Sequence, residues 1–284
     1  MNKVGIVKEI WRYPVKGMAG EQVEQCAINS NGIEGDRVWA LRDIVRQEIQ
    51  SCKFRPELLM CTASSRVGQS DSHVDISLPD GTILGSDDDS IHQSLSDLVG
   101  YKSSLESLQP ITDLDFYRRY KKDAHTWLDE LKATFMREPG EPLPDFSDFP
   151  QQAIDFVTVP GTFFLVTPFH IITTATLNYM KKLLPESDWN VHRFRPNIII
   201  ETNNTDEGLL EQRWVGKSMK ISNTDIACTA TAPRCGAVTR EQINLKFDKS
   251  MLRTIVKEAN QNLGIYGNIT KQGILSVGDT VYID

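Results

Sequence analysis

Cysteine is scarce in this sequence, and the cysteines present are scattered. Cys26, Cys52, Cys61, Cys228 and Cys235 form an odd set without a C-x-x-C pair, which indicates neither a disulfide framework nor a four-thiolate cluster. The five histidines are isolated too, and no H-x-x-x-H or H-E-x-x-H spacing places two imidazoles on one helical face. These absences argue against zinc hydrolysis and favour reduced thiols.

The sequence also lacks glycine-rich phosphate-binding motifs and long apolar runs. Neither G-x-x-x-x-G-K-[ST] nor G-x-G-x-x-G between a strand and a helix is present, so nucleotide and NAD binding lack their usual phosphate cradle. No segment approaches the roughly 18 apolar residues of a membrane span. The first residues carry charges where a secretory signal needs an apolar run. We therefore expect a cytoplasmic protein with no membrane partner.

The sequence also lacks an excess of positive charge. The 284 residues carry a formal net charge of -7, with 40% hydrophobic and 24% charged residues. That composition is typical of a folded globular chain, and its negative balance argues against a nucleic-acid partner. Any anion-binding site must therefore be a local basic pocket.

Short β-type runs and turn signals dominate the N-terminal hundred residues. The intervals between turns are too short for βαβ units, which favours an antiparallel sheet or barrel. Helical periodicity predicts two packing helices, at 90–99 and 124–135. The predicted strands are Val4–Arg12, Gln22–Ile28, Val38–Arg42, Leu58–Ser64, Val74–Leu78 and Thr82–Leu84.

A proline-rich run divides the chain. Glu138–Pro150 holds four prolines in 13 residues and can continue neither a helix nor a central strand. The second half is again predicted to be mainly β, with helices at Thr173–Leu184 and Ser250–Leu263 and with Gly264 as a helix end. Its predicted strands are Phe163–Val166, Asn197–Thr202, Lys217–Ile221, Asp225–Ala230 and Ile274–Ile283. The expected fold class is mainly β with covering helices (α+β), in two barrels or sandwiches.

Two clusters of charged residues stand at predicted turns of the first half. Lys16 lies at a corner bounded by Pro14 and Gly17, where its ammonium could pair with an anion or remain a solvated turn lysine. Arg37 follows Asp36 at the start of a strand. An ordinary Asp-Arg ion pair explains that arrangement as well as a ligand does.

Two further clusters lie in the second half. Arg195 and Asn197 stand two residues apart at the mouth of an apolar strand, where both side chains could share one ligand. Cys235 leaves a predicted strand between Arg234 and Gly236. A neighbouring cation favours thiolate over thiol, and glycine lets a bulky group approach the backbone, although a cysteine is also a common inert core residue.

Together these segments resemble, in the same order, the motifs of MOSC proteins, including the bacterial YcbX-like proteins and the mitochondrial amidoxime-reducing components. The resemblance implies an N-terminal MOSC-associated β-barrel domain at 1–120, a helix and proline-rich linker at 121–150, and a MOSC domain at 151–284. The matching residues are Tyr13-Pro14-Val15-Lys16, Gly35-Asp36-Arg37-x-Trp39, Phe194-Arg195-Pro196-Asn197, Arg234-Cys235, Leu263-Gly264-Ile265-Tyr266, Gly273 and Val277-Gly278-Asp279.

The resemblance also implies a cofactor and its site. Members of the family hold a molybdenum cofactor (molybdopterin) and reduce N-hydroxylated bases. Carried over to this sequence, Cys235 is the catalytic residue and the metal ligand, since a soft thiolate suits a high-valent metal centre. The implied cofactor-binding residues are Lys16, Arg37, Thr173, Thr176, Arg195, Asn197 and Arg234. Pyridoxal phosphate binding is a further possibility at the level of the family.

The implied activity is a molybdenum-cofactor-dependent reduction of a small N-hydroxylated or N-oxide substrate. The chain ends without the cysteine-rich ferredoxin domain of some relatives, so we expect an external electron donor: a flavin reductase, a ferredoxin or a cytochrome-type protein. Two alternatives are a persulfide carrier on Cys235 and a cofactor storage or transfer protein. The segment Val238-Thr239-Arg240-Glu241 departs from the turn that often follows the cysteine in the family, and substrate access is expected to differ accordingly.

Overall fold

The computed structural model describes residues 1–66, 73–147, 151–203 and 205–284. The helices are α1 (Ile91–Val99), α2 (Leu114–Tyr117), α3 (Thr126–Ala133), α4 (Gln151–Asp155), α5 (Thr174–Leu183) and α6 (Lys249–Glu258). The strands are β1 (Asn2–Arg12), β2 (Glu21–Val23), β3 (Gln25–Asn29), β4 (Gly32–Ile33), β5 (Trp39–Asp43), β6 (Glu48–Ile49), β7 (Thr62–Ser65), β8 (Val74–Ser77), β9 (Ile83–Gly85), β10 (Ser103–Ser107), β11 (Phe169–Thr173), β12 (Ile198–Glu201), β13 (Ser218–Ile221), β14 (Thr224–Pro233), β15 (Asn262–Lys271), β16 (Gly273–Ser276) and β17 (Thr280–Ile283).

Seven strands close into a barrel. Their order is β12, β11, β15, β14, β13, β17 and β1, and β1 pairs again with β12. Neighbours are antiparallel except β11 and β12, which run parallel and are connected through α5. The first strand of the chain therefore completes a barrel whose other strands all come from the second half. Closure leaves the seven-stranded sheet without a free edge along the paired segments.

Apolar side chains that alternate along the strands fill the barrel. In β13, Met219 and Ile221 are buried while Lys220 between them is exposed, which is the period of two expected of a half-buried strand. The buried members of this core are Val7, Ile10, Cys26, Ile28, Ile33, Phe169, Ile171, Ile198, Ile200, Trp214, Met219, Ile221, Ile226, Cys228, Ile265, Leu275, Val281 and Ile283.

Two small sheets make up most of the remaining N-terminal region. One has the order β10-β5-β6 and the other β7-β8-β9, and they share a second core with α1, in which Leu41, Leu58, Ile76 and Leu95 are fully buried. A third small sheet has the order β16-β3-β4, so that β3 pairs on one side with β16 from near the end of the chain. The mainly β prediction is confirmed. The boundaries at 120 and 150 stay predictions.

Several predicted elements are wrong in detail. Phe163–Val166 is not a strand. Phe163 lies outside any sheet and packs against Tyr117. Residues 58–60 belong to a 3-10 helix that starts at a proline, and the predicted strand begins only at β7. The helix predicted to reach residue 263 ends at Glu258 and is followed by β15, which the sequence analysis missed.

Gly264 is a glycine for a different reason from the one predicted. It lies inside β15 with φ +80°, and a Cβ built there would meet the Ile171 oxygen at 2.7 Å and the Ile172 Cγ1 at 2.8 Å. The residue therefore allows β11 and β15 to approach closely and does not end a helix.

The segment after α3 lies against the second half of the chain. The Arg253 guanidinium donates to the Met136 oxygen at 2.6 Å and forms an ion pair with Glu141. Arg137 donates to the Arg234 oxygen at 3.1 Å. The described part of the proline-rich linker is thus fixed to the barrel side of the molecule, while residues 148–150 of that prediction lie outside the described residues. Within the described ranges, every helix is too short or too polar to cross a bilayer.

Candidate functional site

Cys235 stands at the point where β14 ends. Its backbone is extended, with φ -107° and ψ -179°, and it precedes a 3-10 helix at Gly236–Thr239. The thiol is free and half-buried. A half-buried thiol at a strand end can be approached by a ligand, whereas Cys26, Cys61 and Cys228 are buried in strands or cores. Burial raises the pKa of each of these three thiols, which keeps them protonated and inert.

Gly236 explains how the chain turns next to this thiol. Its N–H donates to the Thr134 oxygen at 2.8 Å, and a Cβ added at Gly236 would overlap the Met136 sulfur and lie 3.0 Å from the Thr134 oxygen. Glycine is therefore needed here for the close approach of the segment that follows α3. That segment forms one wall beside Cys235.

Arg234 holds the loop from inside the protein. Its Nε donates to the Leu263 oxygen at 2.9 Å, its Nη1 donates to the Phe194 oxygen at 3.1 Å, and its Nη2 contacts the His170 Nε2. Burial lowers the pKa of His170 well below its ordinary value, and the Arg234 charge adds to that effect. The imidazole is therefore neutral and accepts from the guanidinium. Of the predicted cofactor-binding residues, Arg234 has a donor set that is already used within the protein.

Lys16 is buried at a place where most lysines would be solvated. It is 7% exposed, and its ammonium donates to the Phe163 oxygen at 2.8 Å. Burial, together with the smaller effects of the Arg37, Lys53 and Arg195 charges, lowers the pKa of Lys16 to about 7. These cations thus share one region of the molecule.

Arg195 differs from Lys16 and Arg37 in having both a positive φ and a buried donor without a partner among the described residues. Its φ is +54°, a value that is unfavourable for a side chain with a Cβ. Its guanidinium lies 4.4 Å from the centre of the Tyr13 ring and donates to the Met18 oxygen. The buried Nη2 has no hydrogen-bond partner in the described part of the chain, and a buried donor without an acceptor costs about 1–3 kcal/mol. A ligand oxygen would satisfy it.

Arg37 approaches the same tyrosine ring. Its guanidinium lies 5.0 Å from the centre of the Tyr13 ring and 5.4 Å from that of Phe164, and it is paired with the buried Asp36. Its φ of +52° is also in the left-handed region. The structure therefore brings Arg37 and Arg195 together on Tyr13, with Lys16 close enough for both charges to act on it.

Asp36 connects this cluster to the barrel. Its Oδ1 accepts from the Tyr13 N–H at 2.7 Å, and its Oδ2 accepts from the Asn197 Nδ2 at 3.1 Å. The Asn197 Oδ1 accepts from the His170 N–H at 3.2 Å. Asn197 is 1% exposed, so this predicted cofactor-binding side chain joins β11, β12 and the Asp36 turn and has little surface to offer a ligand.

Thr173 and Thr176 lie elsewhere. Thr173 caps α5 by accepting from the Thr176 N–H at 3.2 Å. Both hydroxyls donate to the Glu211 Oε2, at 2.7 Å and 2.5 Å, and all three side chains are fully buried. Burial raises the pKa of Glu211. The structure gives these two threonines a carboxyl group as their partner and does not join them to the cation cluster.

This arrangement predicts a stability effect. Thr176→Val keeps the shape of the side chain but removes one donor to the buried Glu211 carboxyl, and we expect unfolding free energy to fall by about 1–3 kcal/mol. Urea unfolding measures it. The control is Thr254→Val on α6, whose hydroxyl is exposed and should change stability by less than about 0.5 kcal/mol. Equal stability of Thr176→Val and wild type would show that the hydroxyl is dispensable.

Two residues near the thiol were missed by the sequence analysis. Burial raises the pKa of Cys52, while Arg195 opposes that shift and the neighbouring Cys235 adds to it. Lys53 has no ion-pair partner in the described residues, and its ammonium lies 5.7 Å from the centre of the Phe135 ring. Both follow β6 in a turn, and no motif marks them. Their position beside Cys235 arises from long-range packing.

Two cavities adjoin this region. The larger, of about 550 Å³, includes Arg37, Asp36 and Phe164 in its lining. The smaller, of about 390 Å³, is lined in part by Lys53, Met136 and Gly236 and therefore reaches the Cys235 loop. In the described residues, no group of three or more His, Cys, Asp and Glu side chains could hold a metal ion by itself. Among the described residues, a metal at Cys235 would therefore find no such group to complete its ligands.

Comparison with known domains covers both halves of the chain. Residues 4–131 match the MOSC N-terminal beta barrel domain, and residues 161–282 match the MOSC domain. These matches confirm the predicted family and the predicted two-domain organisation. The first matched region includes β1, although β1 completes the barrel formed by strands of the second.

The relatives are distant. The mitochondrial amidoxime reducing component 2 of Bos taurus is 22% identical over 305 residues, which cover 99% of this chain and 84% of that protein. Among solved structures, the YUAD protein of Bacillus subtilis is 10% identical, with a TM-score of 0.43 over 99% of this chain and 95% of its own. YiiM of Geobacillus stearothermophilus is 10% identical, with a TM-score of 0.32 over 41% of this chain and 54% of its own.

Proposed function

The chain belongs to the MOSC family, and from that premise we propose that it is a molybdenum-cofactor-dependent oxidoreductase that reduces N-hydroxylated or N-oxide compounds. One observation carries the proposal. A half-buried thiol, Cys235, adjoins a region in which Lys16 and Arg195 are desolvated without a carboxylate ion pair in the described residues. The named relative, an amidoxime reducing component, agrees with a reductase of this type.

The residues present fit such a cofactor. A phosphorylated pterin needs desolvated cations at its phosphate, and the orphaned Nη2 of Arg195 is a buried donor that lacks an acceptor. The metal needs a soft protein ligand, and Cys235 offers the accessible thiol. The bound cofactor would supply the two-electron chemistry by which an N–OH or N-oxide group loses its oxygen as water.

The chain's own residues would bind and orient. Cys235 would ligate the metal, Lys16 and Arg195 would hold the phosphate, and Arg37 would add charge from above Tyr13. Arg234 and the neutral His170 would keep the Cys235 loop in place from inside the protein. Because burial keeps His170 uncharged, it is a positioning group in this proposal and does not donate a proton.

Lys16 gives the proposed site a pH dependence. Burial lowers its pKa to about 7 in the empty chain, while a bound anion would raise that pKa again. Above pH 7 the empty protein loses the ammonium, and binding must then restore its proton. Affinity for the phosphate is therefore expected to fall by up to about ten-fold per pH unit above 7.

The measurement is molybdenum retained per chain after gel filtration between pH 6 and 9. Lys16→Gln is the comparison, because glutamine can still donate to the Phe163 oxygen but does not titrate. We expect the variant to retain little metal at every pH. The metal content of the wild type should fall toward that of the variant as pH rises. Parallel profiles for the two proteins would remove Lys16 from the phosphate site.

The function itself is tested with protein from a host that makes the cofactor. We expect about one molybdenum per chain and reduction of benzamidoxime or hydroxylaminopurine with dithionite or reduced viologen. NADPH alone should not support turnover, because the sequence has no dinucleotide fingerprint, whereas NADPH with a flavin reductase and an electron carrier should. Cyanide-labile sulfur without metal would favour a persulfide carrier instead. Bound cofactor without turnover would favour cofactor storage.

A further inference from the structure

The cavity of about 390 Å³ beside the Cys235 loop is strongly basic in an acidic protein. Its volume is that of a small-molecule site. The chain as a whole has a net charge of -7, yet the lining has five cationic side chains and two acidic ones. The cationic residues are Arg46, Lys53, Arg55, Arg119 and Arg240, and the acidic residues are Glu48 and Glu130.

Two of the cations are free to meet a ligand. Arg55 is paired with Asp43, Arg46 with Glu130, and Arg119 donates to two backbone oxygens at 3.0 Å. Lys53 and Arg240, in contrast, have no carboxylate within ion-pair distance among the described residues. Two unpaired cations in one cavity attract an anion.

The acidic residues oppose this charge only weakly. Glu130 is already paired with Arg46 at 3.6 Å. Burial raises the pKa of Glu48, and its Oε1 accepts from the Tyr120 N–H at 3.1 Å, so this carboxyl group is engaged within the protein. The larger cavity differs, because its cations Arg12, Arg37 and Arg66 are all paired with carboxylates.

Aromatic side chains complete the lining. Phe54, Tyr120 and Trp127 contribute to the wall, and the Tyr120 side chain is 40% exposed. Aromatic rings offer a flat apolar surface to a planar ligand. Met136 and Gly236, the residue after Cys235, also line the cavity.

We propose that this cavity binds a planar aromatic molecule that carries an anionic group, a phosphate or a carboxylate, held by Lys53 and Arg240. In the reaction this cavity would hold the part of the substrate that does not react, and this role rests on the proposed function. The preferred N-hydroxylated substrates are then anionic, such as a phosphorylated nucleoside of an N-hydroxylated base. The unpaired Lys53 and Arg240 disfavour a substrate that carries a positive charge.

Binding by the full-length chain tests the inference without any turnover. The probes are adenosine 5′-monophosphate, adenosine and 2-naphthoate, titrated by calorimetry at low and high salt. We expect the monophosphate to bind at least about ten-fold more tightly than adenosine, and its affinity should fall as salt rises. Binding of the monophosphate alone identifies a phosphate site, and binding of naphthoate as well identifies a general aromatic-anion site.

Matched variants locate the site. Lys53→Gln and Arg240→Gln should each lower the affinity for the monophosphate by roughly ten-fold. Lys271→Gln should not, because Lys271 is an exposed residue of β15 outside the cavity lining. Equal binding of adenosine and its monophosphate, or equal effects of Lys53→Gln and Lys271→Gln, would overturn the inference. Cys235→Ser should still bind the monophosphate, so that a failure of the proposed molybdenum chemistry would be seen separately from a failure of this site.

Discussion

Replacing Cys235 with serine is expected to remove most of the molybdenum and all measurable N-hydroxy reduction. Serine keeps the size of the side chain but exchanges a soft sulfur ligand for a hydroxyl that is protonated at neutral pH. Changes to groups that only support a metal ligand already cost about 10–100-fold in affinity, so loss of the ligand itself should leave less than about a tenth of the wild-type metal. Metal analysis and the sulfur signal in X-ray absorption measure this loss.

The control variants separate a ligand effect from a general effect of losing a thiol. Cys26→Ser and Cys61→Ser alter thiols that burial keeps protonated and that lie in cores away from the Cys235 loop. We expect both to retain molybdenum even if they unfold at lower temperature. Wild-type protein that is free of metal after expression in a cofactor-producing host would contradict the proposal, as would a Cys235→Ser protein with full metal content.

The second large effect is expected for Arg195→Ala. The guanidinium is desolvated, with its pKa lowered by burial, and its Nη2 lacks an acceptor within the described residues. Removal of one partner from a desolvated charge pair typically costs about 2–5 kcal/mol, which is roughly 30-fold to several thousand-fold in affinity. The variant should therefore be purified largely without cofactor.

Folding distinguishes this effect from simple damage. In the empty protein Arg195 contributes a hydrogen bond to the Met18 oxygen and packing on Tyr13, but it also carries a strained φ and an unsatisfied donor. We expect Arg195→Ala to remain folded by circular dichroism. Lys121→Ala, which removes an ion pair with Asp155 outside the site, should keep its cofactor. Equal metal content in the two variants would contradict the placement of the phosphate at Arg195.

Short-range information predicted most strands and helices well. The period of two in β3, β8 and β13 and the period of near four in α1 are local properties, because side-chain direction follows from the backbone of each element. The prediction failed where local rules conflict with packing. β15 was missed because Gly264 suggested a helix end, whereas its lack of a side chain serves the contact with β11.

At the candidate site too, the sequence identified the residues and the structure revealed their contacts. The ordered motifs named Cys235, Lys16, Arg37 and Arg195, and the structure places Arg37 and Arg195 on the Tyr13 ring and Lys16 near both of them. The same motifs also named Thr173, Thr176, Asn197 and Arg234, whose polar groups the structure engages with Glu211, Asp36, His170 and backbone oxygens. A motif indicates that a polar residue is needed, but it does not distinguish a ligand contact from an internal one.

The sequence by itself determined the family and the mainly β class, and it singled out Cys235 as the candidate thiol, because each depends on residue types in a fixed order along the chain. Only the tertiary structure decided that β1 closes the barrel, that Cys52 and Lys53 lie beside Cys235, and that Arg240 and Lys53 share a cavity. These residues are far apart in the sequence, and their proximity depends on the closure of the barrel and on the packing of two cores. Such contacts arise from the burial of apolar surface as a whole, which no short motif records.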